Sequence, residues 1–100
     1  MRLFVDDTRE YPNARFQCCR TAQQAKLLLS CMEFEYITLD YDLGHGKESG
    51  LDILVWMKEN NIRVPEINIH SNHVIGKERM REFIEENFPG TKLTMNMLMK

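Results

Sequence analysis

Short apolar runs alternate along this chain with longer amphipathic stretches. Met1 to Val5 is apolar and stops at Asp6-Asp7, the pattern of a strand. Thr8 to Asn13 is polar and contains Pro12, so a loop is expected there. Ala14 to Cys19 has room for a short strand. Thr21 then stands as an N-cap, with Gln24 at capping-box spacing. Ala22, Ala25, Leu28, Leu29 and Met32 follow at helical spacing. Phe34 to Asp40 reads as the second main strand, and Asp42 to Ser49, with Gly44 and Gly46, as a loop. Ser49 and Asp52 repeat the capping-box pattern before a helix over Leu51 to Asn60. Its wide apolar arc (Leu51, Ile53, Leu54, Val55, Trp56, Met57) predicts substantial burial. After Pro65, Glu66 to Ile69 makes a strand with Ile67 and Ile69 on one face. Gly76 to Phe88 is a helix with Met80, Phe83 and Ile84 inward; Pro89-Gly90 breaks it, and Thr91 to Met97 is a last strand.

Strands alternating with helices imply β-α-β units. The expected fold is a single α/β domain over residues 1–100, a three-layer sandwich of flavodoxin-like type. Its sheet should be mainly parallel, with about five strands. The polar tips Asp6-Asp7, Asp40-Asp42 and His70-Ser71 all follow strands, so a parallel sheet brings them to one edge.

Composition narrows the function classes. The chain has 100 residues, 43% hydrophobic and 28% charged, an ordinary globular balance with a formal charge of -2. No clustered Lys/Arg surface is legible, which argues against a duplex nucleic-acid binder. No apolar run approaches the ~20 residues of a membrane span. No signal-peptide pattern is read at the start, since Arg2 and Asp6 bracket too short an apolar run. Cys18, Cys19 and Cys31 lack zinc-like spacing and are expected as reduced core filler in a cytoplasmic protein. Trp56 and the tail methionines Met95, Met97 and Met99 are expected as packing.

The candidate chemistry lies at the strand tips. Asp6, Asp7, Asp40 and Asp42 would repel one another unless protonated or bridged by a cation, and hard oxygen ligands suit Mg²⁺, with Mn²⁺ or Ca²⁺ as alternatives. His70 can move a proton near neutral pH, and Ser71 can hold a phosphate oxygen. Arg9 and Arg20 flank the same edge and can grip a phosphate. Asn72, Gly76 and Lys77 precede or open a helix whose free N–H groups favour an anion. His73 and His45 are weaker candidates on loops.

At this point the chain resembles receiver domains of two-component regulators, which carry an acidic pair after the first strand and a phospho-accepting Asp after a central one. Asp6-Asp7 and Asp40 look like these, and Ser71 resembles the Ser/Thr that follows the next strand. The Lys-Pro that receivers carry after the last strand is missing; Lys92 comes too early in its strand. The helix that follows the first strand in receivers is replaced by the loop Thr8 to Asn13. The chain is more closely similar to the divergent group called cyclic-phosphate processing receiver domains. The matching pieces are Leu3-Phe4-Val5-Asp6-Asp7-Thr8-Arg9, Arg20, Leu39-Asp40-Tyr41-Asp42-Leu43-Gly44, Gly50, and Ile69-His70-Ser71 with Gly76 and Met80. Tyr41 stands where that family usually has His, and His73 where it usually has Asn.

The resemblance implies a receiver-like fold acting on a cyclic phosphate, borne by a small molecule, a nucleotide or an RNA end. On that expectation His70, Asp40 and Ser71 are catalytic; Asp6, Asp7, Asp40 and Asp42 hold the metal; Arg9, Arg20, Ser71 and Asn72 bind phosphate. Two alternatives stay open: a signalling receiver phosphorylated on Asp40, and a binding module that has kept the fold and lost the chemistry. Oligomeric state is not legible.

Overall fold

A computed structural model describes residues 1–9, 15–44 and 46–97. Its strands are β1 (Arg2–Val5), β2 (Phe16–Cys19), β3 (Tyr36–Leu39), β4 (Glu66–Ile69) and β5 (Lys92–Thr94). The helices are α1 (Ala22–Cys31), α2 (Gly50–Glu59) and α3 (Val74–Asn87). The strands form one sheet of order β2-β1-β3-β4-β5, and every pairing is parallel. The α/β receiver-like architecture expected from the sequence is thus present.

Alternation along the strands sorts their residues onto two faces. Leu3, Val5, Ile37, Leu39, Ile67 and Ile69 pack with Ala25 and Leu29 of α1, Ile53, Leu54 and Met57 of α2, and Met80 and Ile84 of α3 in one buried cluster. All three helices therefore cover the same face. Phe4, Thr38 and Asn68 are buried on the other face, in register across β1, β3 and β4. Among the described residues no helix covers that second face. Burial on both faces explains why the central strands read as nearly continuous apolar runs.

The caps behave as their chemistry dictates. Ser49 and Asp52 form a complete capping box at α2. At α1, Thr21 accepts from the Gln24 N–H at 3.1 Å, but the Gln24 side chain reaches past the cap to the Arg20 N–H. Helix α3 begins earlier than expected, because the His73 ring caps it: Nδ1 accepts from the Gly76 N–H at 2.9 Å. Strand β5 is shorter than the Thr91–Met97 run. Of the cysteines, Cys19 is core, Cys18 is half-buried and Cys31 is exposed, which corrects the reading of all three as core filler. Burial pushes the Cys19 thiol up to about 12, so it is an inert packing group. Trp56 and Met95 pack against the core, Met97 is exposed, and Met99 and His45 lie outside the described residues, as does the expected start of β2 at Ala14. No described helix is long and apolar enough to cross a membrane.

The topology also places the site. From β1 the chain turns to β2, whereas from β3 it continues to β4. Connections leaving in opposite directions open a crevice at the carboxyl ends of β1 and β3, the position where open α/β sheets bind ligands.

Candidate functional site

The sheet ladder continues one residue beyond each strand. The Asp40 N–H donates to the Val5 carbonyl at 3.1 Å, and the His70 N–H to the Leu39 carbonyl at 3.0 Å. This register sets Asp6, Asp40 and His70 side by side, directly above Phe4, Thr38 and Asn68. One ligand-type atom from each of the three lies within 4.8 Å of the others.

Their environments differ sharply. Asp6 is 0% exposed. Its Oδ1 accepts from the Thr8 N–H at 3.0 Å and the Arg9 N–H at 2.9 Å, which turns the chain out of β1. Its Oδ2 accepts from His70 Nε2 at 3.0 Å and pairs with the Arg9 guanidinium at 3.5 Å. Burial alone would raise the Asp6 pKa; the Arg9 and Thr8 N–H groups and His70 outweigh it and hold the carboxyl below its ordinary value. Asp40 is half-buried, and burial pushes its pKa up, with the Asp6 charge adding to the rise. Hydrogen bonds from the Ser71 side chain and the Asp42 backbone and the nearby Arg9 charge oppose that rise without cancelling it.

The cleft itself, about 350 Å³, is lined by Asp7, Thr8, Arg9, Asp40, Asp42, Ser71, Asn72 and His73. It thus gathers most of the residues expected from the sequence. Asp6 and His70 are not on its wall. His70 is 0% exposed, with Nε2 on Asp6 and Nδ1 2.7 Å from the Thr38 hydroxyl, and its ring stacks on Phe4 at 5.1 Å. The structure places His70, expected from the sequence to be catalytic, behind the cleft wall with both nitrogens engaged inside the protein. Arg20, expected from the sequence to bind phosphate, is not on that wall either. Its guanidinium donates to the Asp6 carbonyl at 2.9 Å and to the Arg9 carbonyl, pinning the turn after β1. Ser71 is buried and accepts from the His73 N–H at 3.1 Å, while Asn72 and His73 are exposed.

An adjoining cleft of about 410 Å³ shares Asp42 and His73 and is walled by Tyr41, Gly44 and Lys47. The Tyr41 ring lies 4.6 Å from the His73 ring and covers Gly76, where a Cβ would meet it at 2.3 Å. Sequence reasoning missed Tyr41 as a wall and missed Thr38 and Asn68 altogether. The available signal for the latter pair was a polar residue in the middle of each apolar strand.

The titrations carry opposed pH effects. His70 is pushed below its ordinary 6.5, chiefly by burial, so its contribution to stability is intact above pH 6.5 and declines as pH falls below it. Asp6 behaves alike below its ordinary 3.8, and its contribution is lost as pH falls through its lowered value. Asp40, raised above 3.8, contributes stability below that value and loses it as pH rises through its folded pKa. Thermal unfolding of Asp40→Asn, which removes the opposing contribution, should show Tm falling as pH drops from 6.5 to 5. A flat or rising Tm over that interval would contradict the buried, neutral state of His70.

A five-stranded parallel sheet with an acidic crevice at its switch point defines a receiver-like domain. The model of the cyclic-phosphate processing receiver domain matches residues 1–86, and the chain belongs to that family. A search of curated proteins found no match to the chain.

Proposed function

We propose that the cleft binds a cyclic phosphate together with a divalent cation and opens the phosphate ring by hydrolysis. The observation that carries this reading is the two-sided wall. Carboxylates of Asp7, Asp40 and Asp42 share the cleft with the donors Arg9, Asn72 and His73. Carboxylates alone would repel a phosphate, and donors alone would need no cation; the mixture suits both bound together.

The donor set fits a hard cation. Burial, and after it the neighbouring Asp6 charge, raises the Asp40 pKa, and positive charge at that place would favour its anion. Asp40 would hold the ion beside Asp6, whose carboxylate comes within 4.8 Å of it, with Asp7 and Asp42 reaching the ion directly or through water; hard oxygen ligands suit Mg²⁺. When bound it would supply charge against the phosphoryl oxygens. Arg9 and Asn72 orient the phosphate, and Ser71 holds Asp40 beside it. Water attacks phosphorus, the ring P–O bond breaks, the water proton passes to a cleft carboxylate, and the released oxygen takes a proton from solvent. His73 accepts on Nδ1 from α3, so its Nε2–H is the group left to hydrogen-bond that oxygen as the solvent proton reaches it. The remainder of a nucleotide or RNA end would lie in the adjoining cleft against Tyr41 and Lys47.

The test is hydrolysis of 2′,3′- and 3′,5′-cyclic nucleotides followed by phosphorus NMR with and without Mg²⁺. Asp40→Asn should lower turnover about 100-fold or more and abolish saturable Mg²⁺ binding. Turnover unchanged in Asp40→Asn would sink the reading. The signalling alternative is supported by Asp40 and Ser71 at receiver-like positions. Against it, Lys92 opens β5 in register with Glu66, at the opposite end of the sheet from the cleft. A phosphoryl adduct after exposure to a small phosphodonor would favour that alternative.

A further inference from the structure

A line of polar side chains crosses the sheet face that carries no described helix. Thr38 and Asn68 sit mid-strand in β3 and β4 at 0% and 1% exposure. Apolar residues are the usual filling of such strands, and polar groups buried there are often replaceable without loss of stability.

The hydrogen bonds along this line run in one direction. The Asn96 backbone brackets the Asn68 amide: its N–H donates to Oδ1 at 2.9 Å, and its carbonyl accepts from Nδ2 at 2.9 Å. These contacts settle which way the amide faces. The Thr94 hydroxyl also donates to Oδ1, at 2.6 Å. Asn68 Nδ2 donates to the Thr38 hydroxyl oxygen at 2.9 Å. The Tyr36 phenol also bonds the Thr38 hydroxyl and can donate to its second lone pair, which leaves the hydroxyl proton for His70 Nδ1, 2.7 Å away. At the far end the Asp6 carboxylate can only accept, from Nε2 at 3.0 Å. Reversing the ring tautomer would set Nε2 without a proton against the carboxylate, between two side chains that are both 0% exposed. No buried polar side-chain atom among the described residues lacks a partner, so the chain of bonds is fully satisfied as it stands.

We propose that Thr38 and Asn68 are positioning residues: they hold His70 as an Nε2–H donor to Asp6, so that His70 shapes the acidic cleft through Asp6 and is neither a cation ligand nor a proton carrier. Only what is being positioned rests on the reading of the cleft above; the hydrogen-bond chain does not depend on it.

The test is long-range proton–nitrogen NMR of the ¹⁵N-labelled protein at pH 8, with His45→Gln and His73→Gln used to assign the His70 signals. The wild type should carry its proton on Nε2, with the Nδ1 signal displaced by an accepted hydrogen bond. Thr38→Val should move Nδ1 to the position of a bare acceptor nitrogen, and Thr38→Ser should restore it. A proton on Nδ1 in the wild type, or an Nδ1 signal identical in Thr38→Val, overturns the proposal. If Thr38→Val does not fold, the wild-type tautomer and the Thr38→Ser spectrum decide. Mg²⁺ titration separates the two readings. Thr38→Val should weaken binding about tenfold or more while Thr38→Ser keeps it, as expected for a group that orients the cation's surroundings. Absence of Mg²⁺ binding in the wild type would instead count against the proposed function and leave the tautomer result to stand by itself.

Discussion

Asp6→Ala should destabilise the protein by about 3–5 kcal/mol, the summed cost of leaving several donors, most of them buried, without their shared acceptor. The truncation leaves the His70 Nε2–H, the Thr8 and Arg9 N–H groups and the Arg9 guanidinium without their acceptor. Each unsatisfied buried donor costs about 1–3 kcal/mol, although water entering at the Arg9 side recovers part of the loss. Against a total stability of about 5–15 kcal/mol this is a large fraction. Tm should fall by more than roughly 12 °C for a domain of this size. Asp7 is the control. It neighbours Asp6 in sequence but lines the open cleft, so Asp7→Ala should change stability by only about 0.5 kcal/mol and act on ligand binding instead. Equal destabilisation by the two substitutions, read from chemical unfolding, would refute the division of labour between the adjacent aspartates.

That division shows where sequence reasoning stops. The Asp6-Asp7 pair was legible as a strand tip, since Met1 to Val5 is apolar and the carboxylates end it. The parallel sheet and the common edge for Asp40 and Ser71 were legible too, because alternation of strands and helices leaves few topologies. Which carboxylate faces the cleft was not legible. It depends on Oδ1 of Asp6 capping the turn over Thr8 and Arg9, and on two arginines bonding that turn to the fold. Arg20 looked like a phosphate ligand because its type and neighbourhood suit one; only the three-dimensional path of the Asp6–Arg9 segment commits it to backbone carbonyls.

His70 illustrates the same limit from the other side. A histidine at a strand tip beside carboxylates has the composition of an acid–base group. Its role here turns on the residue two places earlier on each of three strands. Phe4 supplies a stacking floor, Thr38 a hydroxyl and Asn68 an amide, all on the face opposite the helices. Single-residue patterns do not reveal such a row, because it forms only when β1, β3 and β4 come into register. His73, by contrast, looked ordinary on its loop. Its ring caps α3 and lines both clefts, a position fixed by the turn that Ser71 makes with the His73 N–H.

Gly50→Ala should be the most damaging substitution of a glycine. Gly50 opens α2, and a Cβ there would stand 2.3 Å from the Asp40 carbonyl oxygen and 3.0 Å from Met80 Sδ. The methionine can yield, but the carbonyl is backbone, held where Asp40 leaves β3 and where Gly50 itself donates to the Tyr41 carbonyl at 2.9 Å. Overpacking of this kind costs about 1–3 kcal/mol or more, and the gain in helix propensity, about 1 kcal/mol at most, does not offset it. The strain falls on the segment that aims Asp40, so Gly50→Ala should lose Mg²⁺ affinity as well as stability. Gly76→Ala has an equally short contact, yet its neighbour is the Tyr41 ring, which can swing about χ1. It should cost less stability and act mainly on whatever lies against Tyr41. Gly90→Ala, with nothing within 4 Å of the added carbon, should be nearly neutral. Unfolding curves and Mg²⁺ titrations of the three variants check this order. Gly50→Ala matching Gly90→Ala in both would mean that the α2 start does not set the position of Asp40.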